Sequence, residues 1–158
     1  MSKTLEKILA DPLFEEEIGW RRRHFQPNQV VIREGEPGRS LYYLEEGVLR
    51  VSGRVELEAH RCVQPGICDL GPGEVFGELA LFGSGIRTAT VTAITEAQVV
   101  ELDAARTNAF LEAHPELGYR LLRELFHTLV QRLSHTDRQL ERTIAWGLRA
   151  RGIDEHLK

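Results

Sequence analysis

The sequence predicts a mainly β domain with flanking helices: a β-barrel or jelly roll of the double-stranded β-helix type, with short N-terminal helices and a long C-terminal helix. Between residues 29 and 102, short runs rich in Val, Ile, Leu, Thr and Tyr alternate with glycines. Many short strands separated by such turns are typical of sandwiches and barrels. On both sides of this region, the apolar residues recur at helical spacing instead.

The composition limits the classes of protein to be considered. The chain has 158 residues and a formal net charge of −4, which predicts one domain over residues 1–158 without a general attraction to nucleic acid. No long uncharged apolar run is present, so no membrane span is expected. The first residues lack the layout of a secretory signal, and two cysteines suit a reducing compartment. A cytoplasmic location follows as the expectation.

Helices are predicted for residues 1–28. The apolar residues of Ser2–Phe25 recur at helical spacing, with a break at Asp11–Pro12. The basic run Arg21–Arg23 is interpreted as the solvated end of a helix.

Residues 29–102 are assigned to the barrel. Six strands are expected: Val30–Arg33, Leu41–Leu44, Val48–Leu57, Ile67–Leu70, Thr88–Thr95 and Gln98–Leu102.

Residues 103–152 are predicted to form two helices. Asp103 is the expected N-cap of Ala104–Ala113, and Pro115 lies in the first turn of a longer helix that ends near Arg151. Apolar residues on the longer helix repeat every seven positions, which suits a core-facing seam or a helix-paired dimer. The two rows of the seam are Leu122, Leu129, Thr136, Thr143 and Phe126, Leu133, Leu140.

The segment from Gly77 to Val91 carries the chemistry. Glu78–Leu81 are good helix formers that Gly83 and Gly85 stop at once, which predicts one helical turn. The first N–H groups of such a turn bind anions such as phosphate. On the strand that follows, period-2 parity places Arg87 with the small, inward apolar residues. An inward arginine needs an anionic partner, and a phosphate fits its guanidinium.

Glu78 needs a different explanation, because a carboxylate repels phosphate. A ribose 2′-hydroxyl is a suitable hydrogen-bond donor to it, and a 3′,5′-cyclic phosphate leaves that hydroxyl free. The residues themselves leave an alternative open, in which Arg87 and Glu78 form a structural ion pair with each other.

The run GELALFGSGIRTATV resembles the phosphate-binding cassette of the cyclic-nucleotide-binding domains. The pattern of that cassette, FGE-L/I-A-L, a short loop and R-x-A-T/S-V, is met from Phe76 to Val91. Ile32–Val51 resembles the second signature of the family, and the likeness extends from about Phe25 to about Trp146.

The resemblance implies roles for individual residues. Arg87 would bind the cyclic phosphate and Glu78 the ribose 2′-hydroxyl, with Thr88 permitting cGMP without excluding cAMP. Thr136 and Asp137, on the long helix, resemble positions that contact the base; Thr136 alternatively fills the seam. The implied ligand-binding set is Phe76, Gly77, Glu78, Leu79, Ala80, Arg87, Thr88 and Ala89.

The expected function is that of a stand-alone regulatory sensor of cAMP or cGMP, not an enzyme and without a further cofactor. Ligand binding would draw the C-terminal helix over the pocket, with a partner protein or a homodimer as the output. Only twelve residues follow Trp146, so no nucleic-acid partner is expected.

Two other classes of function stay in view. One is a degenerate domain that acts as an interaction scaffold without a ligand. The other is a metal-dependent barrel enzyme, which the sequence disfavours: His60, Cys62 and Cys68 match no strong zinc pattern, so no metal is expected.

Overall fold

The computed structural model describes residues 3–53, 55–57, 61–63, 66–83 and 85–150. The chain forms two compact units, Met1–Leu121 and Leu122–Lys158. The helices are α1 Lys3–Leu9, a 3₁₀ helix Glu78–Phe82 (the cassette helix), α2 Ala104–Ala113 and α3 Pro115–Ala150. The strands are β1 Trp20–Phe25, β2 Val30–Ile32, β3 Ser40–Glu46, β4 Leu49–Ser52, β5 Val55–Leu57, β6 Arg61–Val63, β7 Gly66–Leu70, β8 Val75–Phe76, β9 Thr90–Ala93 and β10 Ala97–Asp103.

The strands of the first unit form a jelly-roll sandwich, which confirms the predicted fold class. One antiparallel sheet has the order β1-β10-β3-β8 and the other β2-β9-β4-β7, while β5 and β6 form a separate pair. Within the described residues the two sheets do not close into a barrel. The core is built from inward side chains of both sheets: Phe25, Ile32, Tyr42, Leu44, Leu49, Leu70, Phe76, Val91, Ala93, Ala97 and Val99.

The prediction of helix through Phe25 is wrong beyond Leu9, because Trp20–Phe25 form β1. This strand pairs with β10 from Trp20↔Leu102 to Phe25↔Ala97, and its two aromatic ends are buried. The guanidinium of Arg22 covers the Trp20 ring at 4.9 Å. Pairing with β10 and burial of the aromatic ends therefore override the helical spacing of the apolar residues.

The basic run Arg21–Arg23 consequently lies on a strand, and its interpretation as a helix end is wrong. Arg21 pairs with Glu101 at 2.9 Å, Arg22 with Glu45 at 3.0 Å, and Arg23 with Glu101 at 3.3 Å. Carboxylates of the same sheet thus neutralise the run.

The strands of the structure differ from the predicted strands both in extent and in number. The expected strand Val48–Leu57 is divided into β4 and β5, and β9 begins at Thr90 rather than Thr88. Short strands β6 and β8 were not predicted, since two or three residues carry too little alternation to be recognised.

The two C-terminal helices follow the prediction. The Asp103 side chain caps α2 by accepting a hydrogen bond from the Arg106 backbone at 2.9 Å, and α3 begins at Pro115. Arg151 lies outside the described residues. Among the described helices, none is both long and apolar enough to cross a membrane.

Glu101, on β10, is the most heavily bonded carboxylate of its sheet. Its side chain is 12% exposed and accepts hydrogen bonds from Arg21, Ser40 and Tyr42 at 2.9, 3.1 and 3.2 Å. Burial raises the pKa of Glu101, but the hydrogen bonds from Arg21 and Ser40 and the nearby arginine charges outweigh it, so the pKa is lowered.

We predict that Glu101→Gln lowers the free energy of unfolding at pH 7 by about 1–3 kcal/mol, because charged hydrogen bonds are lost. The pKa of Glu101 is lower in the folded chain than its unfolded value of about 4.3, so ionised Glu101 stabilises the fold above that pH. This stabilisation is lost as the pH falls through the folded-state pKa. The difference in free energy of unfolding between wild type and variant, measured by urea unfolding, should therefore become smaller in acid. The exposed Glu46, on β3, provides the control variant Glu46→Gln. A gap that stays constant into acid would contradict this account.

Candidate functional site

The cassette helix is the predicted single turn. Gly77 and Gly83 flank it in left-handed conformations, with φ of 70° and 79°, which favour glycine over residues that carry a Cβ. The backbone N–H of Ala80 donates to the Gly77 carbonyl at 3.2 Å, and that of Gly83 donates to the Leu79 carbonyl. The N–H of Ala80 is therefore engaged within the turn itself.

Helix α2 fixes the cassette helix from the side. The Asn108 side-chain amide donates to the Leu81 carbonyl at 2.9 Å, and Leu81 is buried. In the same turn, Leu79 and Phe82 are exposed. Among the described residues, the buried Leu81 side chain and the hydrogen bond from Asn108 thus hold the turn in place.

Glu78 and Phe76, on either side of Gly77, are both buried. Phe76 belongs to the core and stacks on Tyr42, with ring centroids 5.1 Å apart. Glu78 is only 7% exposed. The Phe76 side chain therefore supports the turn from the core, while Glu78 brings a buried carboxylate to the start of the cassette helix.

Arg87 reaches the site by a route other than the predicted one. It precedes β9, so strand parity does not orient it, and that part of the prediction is wrong. Instead, Ile86 forms an antiparallel bridge with Pro37. The Arg87 N–H donates to the Glu36 carbonyl, and the Gly35 N–H donates to the Arg87 carbonyl, both at 2.9 Å. The turn at residues 35–38 therefore sets the position of Arg87.

The Arg87 guanidinium lies in a niche made by two glycines and one ring. A Cβ at Gly38 would overlap the guanidinium, and a Cβ at Gly77 would lie 2.9 Å from Nη1. The Arg87 Cζ lies 5.4 Å from the centroid of the Tyr42 ring. Any larger residue at Gly38 would displace the guanidinium.

Arg87 has no carboxylate partner within the described part of the chain. Arg21 and Arg50, by contrast, form ion pairs with Glu101 and Asp69 at 2.9 and 2.7 Å. The alternative ion pair between Arg87 and Glu78 is not among the pairs that the described residues form. A partly buried guanidinium without a protein anion is poised to accept one from a ligand.

The three residues that follow Arg87 differ in exposure. Thr88 is exposed, Ala89 is half-buried, and Thr90 is 5% exposed. The Thr90 hydroxyl accepts a hydrogen bond from the Glu34 backbone at 3.1 Å. Thr88 and Thr90 therefore have different surroundings, and Thr90 anchors the chain beside the site.

Sequence reasoning missed Gly38 and Tyr42. A signal for Tyr42 was available, because alternation along β3 places it on the same inward face as Leu44. The role of Gly38 depends on the approach of Arg87 from a distant segment, which no local pattern reveals.

The remaining predictions concern residues of the long helix and the histidine and cysteines of the sequence. Asp137 is exposed on α3, and the Thr136 side chain lies outside the described residues. His60 and the Cys62 side chain also lie outside them, while Cys68, on β7, is half-buried. Within the described part of the chain, no cluster of three His, Cys, Asp or Glu residues could hold a metal ion.

The chain is similar to known regulatory proteins. The family model described as a cyclic nucleotide-binding domain matches residues 22–114. The CRP-like cAMP-activated global transcriptional regulator of Mycobacterium tuberculosis is 32% identical over 116 residues, covering 73% of this chain and 48% of the regulator. The chain thus spans about half the length of that relative.

Solved structures give the same picture. A c-di-GMP-responsive global regulator of Xanthomonas campestris matches with a TM-score of 0.73 and 25% identity, covering 90% of this chain and 64% of that one. A mutant regulatory subunit of a cAMP-independent protein kinase A from Trypanosoma brucei, bound to cAMP, matches with a TM-score of 0.55 and 27% identity, covering 70% and 36%.

Two glycines of one turn allow the niche to be tested separately from the fold. Gly38 has no positive φ, so we expect Gly38→Ala to cost about 1 kcal/mol or less while moving the guanidinium off the Tyr42 ring. Gly35, with φ of 82° and open space around it, is the matched control. Gly35→Ala should cost about 1–2 kcal/mol and leave the guanidinium in place. Urea unfolding and the ring-current-shifted NMR signal of Arg87 Hε measure the two effects; an unmoved signal in Gly38→Ala would contradict the niche.

Proposed function

The chain belongs to the cyclic nucleotide-binding domain family, and from that premise we propose that it binds cAMP or cGMP through Arg87 and Glu78. We propose that it acts as a regulatory domain rather than as an enzyme, because the similar proteins are two transcriptional or global regulators and a regulatory subunit of a kinase. The observation that carries it is the Arg87 guanidinium, which lies in a shaped niche without an ion-pair partner among the described residues.

A cyclic phosphate supplies the missing anion. A guanidinium presents parallel N–H donors that match two phosphate oxygens. The niche leaves room for the guanidinium only because Gly38 and Gly77 lack side chains. The backbone N–H groups around Gly77 and Leu79, at the start of the cassette helix, would add donors to the same phosphate.

Glu78 gives the proposal its second contact. Its buried carboxylate at the start of the cassette helix would accept a hydrogen bond from the ribose 2′-hydroxyl. That hydroxyl distinguishes a 3′,5′-cyclic nucleotide from a bare phosphate. Thr88 is exposed, so its hydroxyl is available to the phosphate or to a guanine amino group. Ala89 and Phe76 would complete the pocket by packing.

Helix α3 is proposed as the element that the ligand moves. Thr136 and Asp137 would contact the base from this helix and draw it over the pocket, which makes α3 a two-state element biased by the ligand. The expectation of no nucleic-acid partner stays a prediction, because the CRP-like relative is a transcriptional regulator of which the match covers only 48%.

A thermal-shift titration with cAMP, cGMP, c-di-GMP and AMP tests the ligand. A ligand at a hundredfold excess over its Kd adds about 2.7 kcal/mol to the free energy of unfolding. We expect this stabilisation with cAMP or cGMP and none with AMP. Stabilisation by c-di-GMP alone would mean that this chain responds to the same ligand as the similar Xanthomonas regulator, and it would contradict the proposal. Stabilisation by none would favour the interaction scaffold.

Substitutions test the two contacts. Arg87→Ala should weaken cyclic-nucleotide binding by about 10- to 100-fold, because charged hydrogen bonds are lost. Glu78→Gln should weaken it less, since an amide oxygen still accepts a hydrogen bond. Arg50, half-exposed and paired with Asp69 on the sheet surface, gives the control Arg50→Ala. Titration calorimetry that finds Arg87→Ala and Arg50→Ala equally harmless would remove Arg87 from its role.

We also propose that a second copy of the chain covers the apolar seam of α3. Phe126, Leu133 and Leu140 are 69%, 63% and 58% exposed at seven-residue spacing, as in a helix-paired dimer. The double variant Phe126→Glu, Leu133→Glu would place charges in the seam and should therefore be monomeric. Light scattering should give it a mass of 17.9 kDa, against twice that mass for wild type. Gln131, exposed and outside the seam, gives the control Gln131→Glu. A monomeric wild type would contradict the dimer.

A further inference from the structure

Tyr42 links the Arg87 niche to the core of the sandwich. Its ring is 5% exposed and has Phe76 stacked on it, at an interplanar angle of 14°. The Arg87 Cζ lies 5.4 Å from the ring centroid. The ring therefore contacts Phe76, at the start of the cassette, and lies beside the guanidinium of Arg87, near its end.

The phenol group of Tyr42 is fixed by Glu101. The register of β3 and β10 places the two residues opposite each other, and the Tyr42 hydroxyl donates to Glu101 Oε1 at 3.2 Å. Glu101 is itself held by Arg21 and Ser40. Burial and the Glu101 charge raise the pKa of Tyr42, so the phenol stays protonated and continues to donate.

An aromatic ring holds a guanidinium in a way that a carboxylate cannot. The ring face attracts the cation without occupying its N–H donors, which remain available to a phosphate. A carboxylate at the same place would occupy those donors and oppose the phosphate charge. A phenol that donates to an anion also makes its ring more electron-rich, which strengthens the attraction.

We propose that Tyr42, oriented by Glu101, is a positioning residue that holds the Arg87 guanidinium in place for the ligand phosphate. The proposal rests on the proposed function, because it assigns to Tyr42 a share in cyclic-nucleotide affinity through Arg87. Its two supports are the ring-to-guanidinium geometry and the hydrogen bond to Glu101.

A fluorination series at position 42 tests the electrostatic part. Tyr42→Phe is compared with the same position carrying 3,5-difluoro- and 3,4,5-trifluorophenylalanine, which weaken the ring quadrupole with little change in ring size. We expect the Kd of the cyclic nucleotide to rise stepwise, by about 2- to 30-fold in total. A Kd that does not rise along the series would overturn the proposal.

Tyr43 is the matched control. It lies on the same strand, is equally buried at 5%, and its hydroxyl also donates to a carboxylate, that of Glu6 at 3.3 Å. The same series at position 43 should leave the Kd unchanged. An equal rise at both positions would mean that fluorine acts through the fold, and the proposal would fail.

A double-mutant cycle separates this proposal from the proposed function. Tyr42→Leu should raise the Kd in the wild-type background but change it little in the Arg87→Ala background, because its effect passes through Arg87. Equal effects in both backgrounds would overturn the role of Tyr42 alone. A wild-type chain that binds no cyclic nucleotide would overturn the proposed function itself.

Discussion

One partly buried guanidinium without an ion-pair partner in the described part of the chain governs the architecture of the candidate site. Burying a charge is costly unless something compensates for it, and here the ring of Tyr42 and the absence of side chains at Gly38 and Gly77 permit Arg87 to lie where it does. Arg21, by contrast, has the carboxylate of Glu101 beside it. Arg87 is kept apart from that network, which leaves its donors available to a ligand.

The jelly roll brings distant segments to this point. The turn at residues 35–38 and the segment at residues 85–87 are joined by backbone hydrogen bonds, and β8 delivers Gly77 beside them. Helix α2 ties down the cassette helix through Asn108. Backbone pairing thus sets most of the geometry of the site. The flexible Arg87 side chain is then positioned by the Tyr42 ring and by the space that Gly38 and Gly77 leave.

Sequence reasoning predicted what depends on local chemistry. The one-turn helix between Gly77 and Gly83 and the Asp103 cap of α2 follow from the residues alone. It failed where contacts with residues distant in sequence determine the local structure. Trp20–Phe25 forms a strand because it pairs with β10. Arg87 is oriented by its hydrogen bond to Glu36 rather than by its parity on a strand. Tyr42 was missed because its value to the site exists only once Arg87 is in place.

The central claim is that the Arg87 guanidinium meets the ring-closed phosphate. A crystal structure of the chain with bound cAMP or cGMP tests it most directly. We expect Arg87 nitrogens within hydrogen-bonding distance, about 2.7–2.9 Å, of the phosphate oxygens, with Tyr42 still against the guanidinium. A nucleotide whose phosphate is held elsewhere, with Arg87 pointing into solvent, would contradict the account.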